Sequence, residues 1–432
     1  MADPAAWRIV LCDRDGISIS ILDGIASDVT LGFRLNRAAT CSFTVPSDDH
    51  RVNTVHSDGF PYLTVGVRTV KAWRKSLGAG EAGEWKLKFA GIVWITEEDG
   101  DTDSCRTYVQ CFDHLKVLEK RIVRRWNGRF EKDVKWHSGG DSGQDKRDGS
   151  QGPSHIVKQM IERTNTYAGY VAGGPTEAGT VSLAPTGIVT DGDWEATTPV
   201  TVSYRQEYIM PAIITFCDMG LMDLVLTDTL GAPGYLDAGY DDNDDGIFIK
   251  LGAVEKLGTD LGNAVVISYA VSPYTGKAYT RTQTMEMLAT RVSRWVEPIK
   301  GPGYAIFAGP LHGNQATTYG VFESISPRTD IKSRNISQAL TGAELRLRKN
   351  PADFVTLLPE ADTEFKPWDD WWLGDFIGAE AGSGASPATR EAISGTQRVY
   401  GFTIALDEDF GEYVSDMTLT VNGETGGSGG EE

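Results

Sequence analysis

The feature that most constrains this chain is the alternation of apolar and polar residues along short segments of its first 125 residues. Successive side chains of a β-strand point to opposite faces of a sheet, so this period predicts strands with one buried face. No long helical pattern separates the segments, which favours a sandwich or barrel over a parallel α/β sheet. The predicted strands cover residues 7–12, 17–22, 29–34, 39–45, 63–73, 85–95 and 106–112.

Helices are predicted to be few and short. Residues 114–123 fit a short helix or an exit strand. Ser154 suits the N-cap of one helix, and Pro211 suits the first position of another. A further helix is predicted from about 336 to 348. Strands resume over residues 224–227, 247–251, 264–270, 353–358, 397–406 and 413–421, so the whole is predicted to be mainly β with short helices.

The length of 432 residues predicts two to four domains. The polar, glycine-rich segment 138–152 is predicted to be mobile and to be cut first by proteases, near Lys146 or Arg147. The predicted division is a β-barrel module at 1–125, a helical and loop module at 126–200, a second β-rich module at 201–330, a C-terminal β module at 331–422 and a disordered tail at 423–432.

The charge of the chain argues against some classes of partner. Acidic residues number 60 and basic residues 41, a formal net charge of −19, which is unlike a surface that binds duplex DNA. No apolar stretch approaches the roughly 20 residues that span a bilayer, and no signal peptide is visible at the start.

The scattered cysteines are interpreted as reduced core residues of a protein made in a cytosol: Cys12, Cys41, Cys105, Cys111 and Cys217.

Two short motifs resemble ligand sites but are better explained as turns. Residues 78–83 match GxGxxG, yet they lie between two predicted strands, whereas a dinucleotide site needs a helix directly after the glycines. Asp241, Asn243, Asp245 and Gly246 fit the first half of a calcium loop. The glutamate that completes such a loop would fall at Gly252, so a solvated acidic turn is favoured.

The remaining candidates also have simpler interpretations. The acidic segments 97–103 and 407–409 could hold the carboxylate pair of a glycosidase, but acidic hairpin turns are the favoured interpretation. The rings of Trp368–Trp372 could stack on a sugar, but packing is favoured. The histidines are dispersed, and the Walker A, HExxH, CxxC and GxSxG motifs do not occur in the sequence. We therefore predict no catalytic, cofactor-binding or metal-binding residues, and no cofactor.

Several segments follow one another in a characteristic order. A predicted strand over 38–46 ends in Phe-Thr-Val-Pro. Residues 85–93 read Trp-Lys-Leu-Lys-Phe-Ala-Gly-Ile-Val. Residues 109–123 contain regularly spaced apolar residues and end in Arg-Ile-Val. Near the end come 372–377 and 398–406, a turn and a long strand. This order resembles the tail-hub (minor tail) proteins of long-tailed bacteriophages, especially those that infect actinobacteria. The similarity covers most of the chain and is weakest over the middle modules.

The resemblance implies a structural virion protein without enzymatic activity, built from tail-tube-like β-barrel modules with inserted α/β modules. A homotrimer would join the hexameric tail tube and distal-tail protein above to tip fibres, a spike or receptor-binding proteins below. The tape-measure protein is a further expected partner. Such a hub would gate or line the DNA channel during host cell entry, without specific nucleic-acid binding and without inserting into a membrane itself. It would be made in the bacterial cytoplasm and reside at the tail tip of a siphophage.

Two alternatives remain open at this level. The acidic segments and the tryptophans also fit a carbohydrate-binding or glycan-degrading tail protein, and the strand layout also fits a hexameric distal-tail ring protein.

For a hub, we expect an acidic or neutral channel, because carboxylates repel a phosphate backbone. The basic cluster would then face neighbouring subunits or the outside, and it consists of Lys120, Arg121, Arg124 and Arg125. A peptidoglycan hydrolase or receptor-binding fibre would be a separate polypeptide.

Overall fold

Strands are the main element, and the mainly β fold with short helices is confirmed. The computed structural model describes residues 5–13, 16–76, 85–100, 105–123, 134–136, 152–166, 188–189, 202–204, 207–218, 222–227, 249–254, 258–269, 276–284, 289–296, 305–308, 312–326, 341–342, 344–345, 352–359, 365–381, 393–407 and 411–419. The helices are α1 (Leu115–Leu118), α2 (Pro153–Thr166), α3 (Ile209–Asp218) and α4 (Gly313–Tyr319). The strands are β1 (Ala5–Cys12), β2 (Ser18–Ile21), β3 (Ser27–Arg34), β4 (Thr40–Pro46), β5 (Thr69–Ser76), β6 (Lys86–Gly100), β7 (Cys105–Asp113), β8 (Val134–Trp136), β9 (Ile188–Val189), β10 (Val202–Tyr204), β11 (Asp223–Thr227), β12 (Ile249–Val254), β13 (Asp260–Tyr269), β14 (Gly276–Thr284), β15 (Arg291–Val296), β16 (Ala305–Ala308), β17 (Glu323–Ser326), β18 (Ala352–Pro359), β19 (Phe376–Ala381), β20 (Ile393–Leu406) and β21 (Glu412–Leu419).

Thirteen of the described strands form one sheet. Its order is β14-β18-β21-β20-β3-β4-β7-β6-β5-β1-β2, and β19 also joins β20 on one side and β13 on the other. The described pairings form an open path that ends at β2 and β14, so closure into barrels stays a prediction. Three small sheets pair β8 with β10, β9 and β11 with β12, and β16 and β17 with β15.

The pairing of β3 with β20 joins two distant parts of the chain. In this antiparallel ladder, Phe33 lies opposite Phe402 and Leu31 lies opposite Ile404. The predicted N-terminal and C-terminal modules therefore share one sheet. The module boundaries at 125, 200, 330 and 422 are still predictions from the sequence.

The main core draws on both ends of the chain in the same way. Phe43 and Phe89 from the first hundred residues and Ile404 and Leu419 from the last are almost fully buried in one apolar cluster. Burial of a side chain of this size contributes about 1.5–3 kcal/mol. Neither end of the chain therefore buries its apolar face without the other.

A second core forms between α1, α2 and α3. Helical spacing puts Val157, Met160 and Ile161 of α2 on one buried face, where they meet Ile213 and Phe216 of α3. Both helix starts differ from the prediction. Pro153 begins α2, so Ser154 is its second residue, and Ile209 begins α3, so Pro211 is its third. Both prolines still lie in the first turn, where the missing N–H costs nothing because that turn lacks partners for its donors.

Other local predictions were wrong for identifiable reasons. Residues 63–68 form turns before β5, because Gly66 has a left-handed φ of 74° and interrupts the expected strand. The acidic residues Glu97, Glu98 and Asp99 belong to β6, where their backbone pairs with β7, and are not in a turn. Of the helix predicted over 336–348, residues 341–342 and 344–345 are described and are helical. Strands β14 to β17 and helix α4 were not anticipated.

Candidate functional site

The tryptophan-rich turn at residues 365–375 lies against strands from both ends of the chain. The ring of Trp368 has its centroid 5.6 Å from those of both Trp7 and Phe33. The rings of Trp371 and Trp372 lie 5.0 Å and 5.3 Å from that of Phe402. Pairs at these separations add roughly 0.5–1.5 kcal/mol beyond the area that they bury. The turn is therefore an aromatic joint between the two halves of the sheet.

These rings are unsuited to stacking on a sugar. Trp371 is 2% exposed and Trp372 is 8% exposed, whereas a sugar needs an open aromatic face. Trp368 is half-buried, with the guanidinium of Arg74 and the ammonium of Lys88 5.5 Å and 5.7 Å from its ring centre. The structure favours the packing interpretation of this segment.

A buried arginine ties the joint together. Arg74 of β5 is 4% exposed and donates through Nη2 to Oε1 of Glu412 at 2.6 Å and to Oδ2 of Asp369 at 2.8 Å. Trp7 donates from Nε1 to the other carboxylate oxygen of Glu412, at 3.0 Å. Burial lowers the pKa of Arg74, but its hydrogen bonds and attraction to Glu412 and Asp369 outweigh burial and hold the pKa above its usual value. The network joins β1, β5, the tryptophan turn and β21.

A second polar joint connects the main sheet to the second core. Arg398 of β20 and Asp223 at the start of β11 form a buried ion pair, and Arg398 Nε also donates to the carbonyl of Gly374 at 3.2 Å. The side-chain amide of Asn36 binds the start of β11 through both its nitrogen and its oxygen. It donates to Asp223 at 2.9 Å and accepts from the backbone N–H of Leu224 at 2.7 Å. Asn36 thus anchors β11 to the main sheet.

The structure describes only some of the other sequence candidates. Asp407 is exposed and accepts a hydrogen bond from the backbone N–H of Gly411 at 2.6 Å, which closes its own turn. Lys120 is exposed and Arg121 is half-buried. The candidates at 78–83, 101–103, 124–125, 138–151, 241–246 and 408–409 lie outside the described residues, as do Lys146, Arg147 and the tail at 423–432.

Four of the five cysteines are buried thiols, as predicted, and one is not. Cys12, Cys41, Cys111 and Cys217 are buried, and all five are free. Cys105 is exposed, because it begins β7 at the outer end of the hairpin with β6. Its predicted place in the core was wrong.

Within the described ranges, no three or more His, Cys, Asp and Glu side chains are grouped as a metal site would require. The helices in that part of the chain are all too short or too polar to cross a membrane. The sequence reasoning overlooked Arg74, Arg398 and Asn36. A signal for Arg74 was present, since the two residues that precede it on the same face of β5, Val70 and Ala72, are apolar and buried. A charge at such a position predicts a buried partner.

No protein-family model matches the sequence, and no curated protein sequence matches it significantly. Solved structures do match in fold. The 43 kDa tail protein of prophage MuSo2 from Shewanella oneidensis is 10% identical, with a TM-score of 0.51 over 96% of this chain and 98% of that one. The tail protein from Neisseria meningitidis MC58 is 8% identical, with a TM-score of 0.52 over 96% of both chains. Over 96% of its length, this chain has a fold similar to that of these two tail proteins.

Proposed function

We propose that this chain is a structural protein of a bacteriophage tail, and that it forms the hub at the tail tip. The observation that carries the proposal is the agreement in fold with two tail proteins over 96% of the chain. The match spans the two proteins nearly completely, so it concerns a whole architecture and not one shared module. The proposed role is structural and requires no catalytic residue.

The finer features of the proposal come from the order of segments in the sequence. We propose on that ground that the protein belongs to a siphophage that infects actinobacteria. Three copies would form the ring, between the tail tube and distal-tail protein on one side and fibres, a spike or receptor-binding proteins on the other. The tape-measure protein would end at this ring.

The two polar joints suit such a role. A tail tip has to keep its shape when it contacts the host surface. Arg74 lies 338 residues from Glu412 in sequence and Arg398 lies 175 residues from Asp223, and both partner carboxylates are held by several hydrogen bonds. Breaking either pair would leave a buried charge without compensation, so the joints resist separation of the elements that they connect.

The location is tested on virions of the phage that encodes the chain. Gold-labelled antibody raised against the purified protein should bind at the end of the tail opposite the head. Deletion of the gene should abolish assembled tails, and supply of the gene in trans should restore them. Label on the head, or normal tails without the protein, would contradict the proposal.

Copy number and activity are tested on the purified chain. Three copies per assembled ring are expected, and six would favour the distal-tail alternative. Digestion of purified host cell walls distinguishes the structural role from the alternative in which the protein degrades glycans. Release of glycan fragments that Asp407→Asn abolishes would contradict a purely structural role.

A further inference from the structure

The connection between β4 and β5, residues 47–68, exposes several apolar side chains. The exposed fractions are 61% for Val55, 47% for Phe60 and 47% for Val65. Pro61 is also exposed, and it pairs with Val55 across a short bridge, so Val55 lies opposite the residue that follows Phe60. We call residues 53–66 the apolar loop. Leaving such side chains in water forgoes the free energy that their burial would release.

The shape of the apolar loop is fixed from within. The side chain of Arg68 is fully buried and donates from Nε to the carbonyl of Pro61 at 3.1 Å and from Nη2 to that of Phe60 at 2.7 Å. Nη1 and Nη2 also donate to the two carboxylate oxygens of Asp58. The backbone adds hydrogen bonds from His56 to Phe60 and from Tyr62 to Thr54. A surface organised before binding loses little conformational entropy when it is covered.

The apolar loop is also electrically neutral, in contrast to the chain as a whole. Between residues 53 and 66 the formal charge is that of Asp58 alone, and Arg68 neutralises it. The hydrogen bonds from Arg68 hold the pKa of Asp58 well below its usual range, so the pair stays ionised at neutral pH. The chain carries a formal charge of −19, so two copies repel one another overall.

We propose that the apolar loop is a contact surface between copies of this chain. The inference rests on the proposed hub function, which requires several copies in a ring. A partner of different sequence could match the acidic surface with basic residues. An identical copy brings the same acidic excess, so a neutral, apolar patch is the contact that this repulsion opposes least. Phe60 has the character of the aromatic anchors that dominate binding energy at interfaces.

The test compares two charge-introducing variants of the full chain. Val55→Asp with Phe60→Asp alters the apolar loop, and Val321→Asp alters an apolar residue of similar exposure, 62%, outside it. Wild type and Val321→Asp should form the same assembly by native mass spectrometry and sedimentation velocity. The double variant should raise the dissociation constant at least tenfold. A monomeric wild type, or a double variant that assembles as wild type does, would overturn the proposal.

A second measurement covers the case in which the double variant misfolds. The photo-reactive residue p-benzoylphenylalanine is placed at position 60 or, as a control, at position 321. Irradiation of the purified chain should link two copies from position 60 and not from position 321. No link from position 60, or equal linking from both, overturns the proposal. The gold-labelling experiment reports separately on the tail location, so either idea can fail alone.

Discussion

Arg74 depends on its carboxylate partners more than a surface arginine would. Its guanidinium is 4% exposed and Glu412 has a side chain 5% exposed, so neither charge has water to replace a lost partner. Asp369 is 46% exposed and is solvated on its own. The pair with Glu412 is therefore the one whose loss leaves a buried charge uncompensated.

We expect Arg74→Met to destabilise the chain by about 3–5 kcal/mol, since Glu412 would stay buried with only the Trp7 N–H as a donor. Thermal and urea unfolding measure the change. Lys158→Met is the matched control, because its 3.9 Å pair with Glu162 is in contact with water, with side chains 32% and 45% exposed, and contributes under about 0.5 kcal/mol. Adding Glu412→Gln to Arg74→Met should restore part of the loss. Equal effects of Arg74→Met and Lys158→Met would contradict this account.

The cysteines allow a test of burial that does not depend on unfolding. Burial raises the pKa of Cys12 and of Cys41 to about 12, so at pH 8 both stay protonated and unreactive. We expect the native chain to show one fast thiol in a titration with an aromatic disulfide reagent, namely Cys105. Cys105→Ser should remove the fast phase, and denaturant should expose the others. A fast phase that survives Cys105→Ser would show that at least one of the four buried thiols is reached by local opening.

At the scale of elements, a close approach of two loops sets the position of β13 beside β19. Gly258 precedes β13 with a φ of 109°, and a Cβ there would lie 1.9 Å from the carbonyl oxygen of Gly374. Asp375 adds to the contact by accepting the N–H of Thr259 at 2.7 Å and that of Trp372 at 2.7 Å. The loops can meet only because position 258 has no side chain.

Gly258→Ala should therefore lower the melting temperature far more than Gly24→Ala. Gly24 has a φ of 77° but open space around it, so an added methyl there costs only the left-handed backbone penalty, about 1–2 kcal/mol. Gly258→Ala adds a collision with backbone to that penalty. Circular dichroism melts of the two variants measure the difference, and similar melting temperatures would mean that the loops separate at little cost.

A strand can be predicted from sequence when its own residues cause it to form, and not when a distant partner strand does. Strands β1, β3, β4 and β7 were predicted within a few residues, because one buried face imposes a period of two. Strand β14 was missed, because its sequence Gly-Lys-Ala-Tyr-Thr-Arg-Thr-Gln-Thr has no clear apolar alternation and its pairing with β18 supplies the order. The part of β6 beyond Ile95 was taken for a turn for the same reason.

At the scale of the whole molecule, charge is the property with the clearest consequence. A surface with a formal charge of −19 should repel nucleic acid, and a conduit that held its cargo would block passage. We expect the purified chain to bind duplex DNA no more tightly than a neutral protein does, in filter binding at low salt. Tight binding that weakens steeply as salt is raised would contradict this expectation.

The sequence by itself determined the class of fold, the extent of most strands near the two ends, the free state of the cysteines and the net charge, because these depend on neighbouring residues or on simple sums. Only the tertiary structure decided that β3 pairs with β20, that Arg74 meets Glu412 and that Asn36 holds β11. Those contacts join residues far apart in the chain. Their partners are selected by which faces come together in three dimensions, and a local pattern of residues carries no record of that choice.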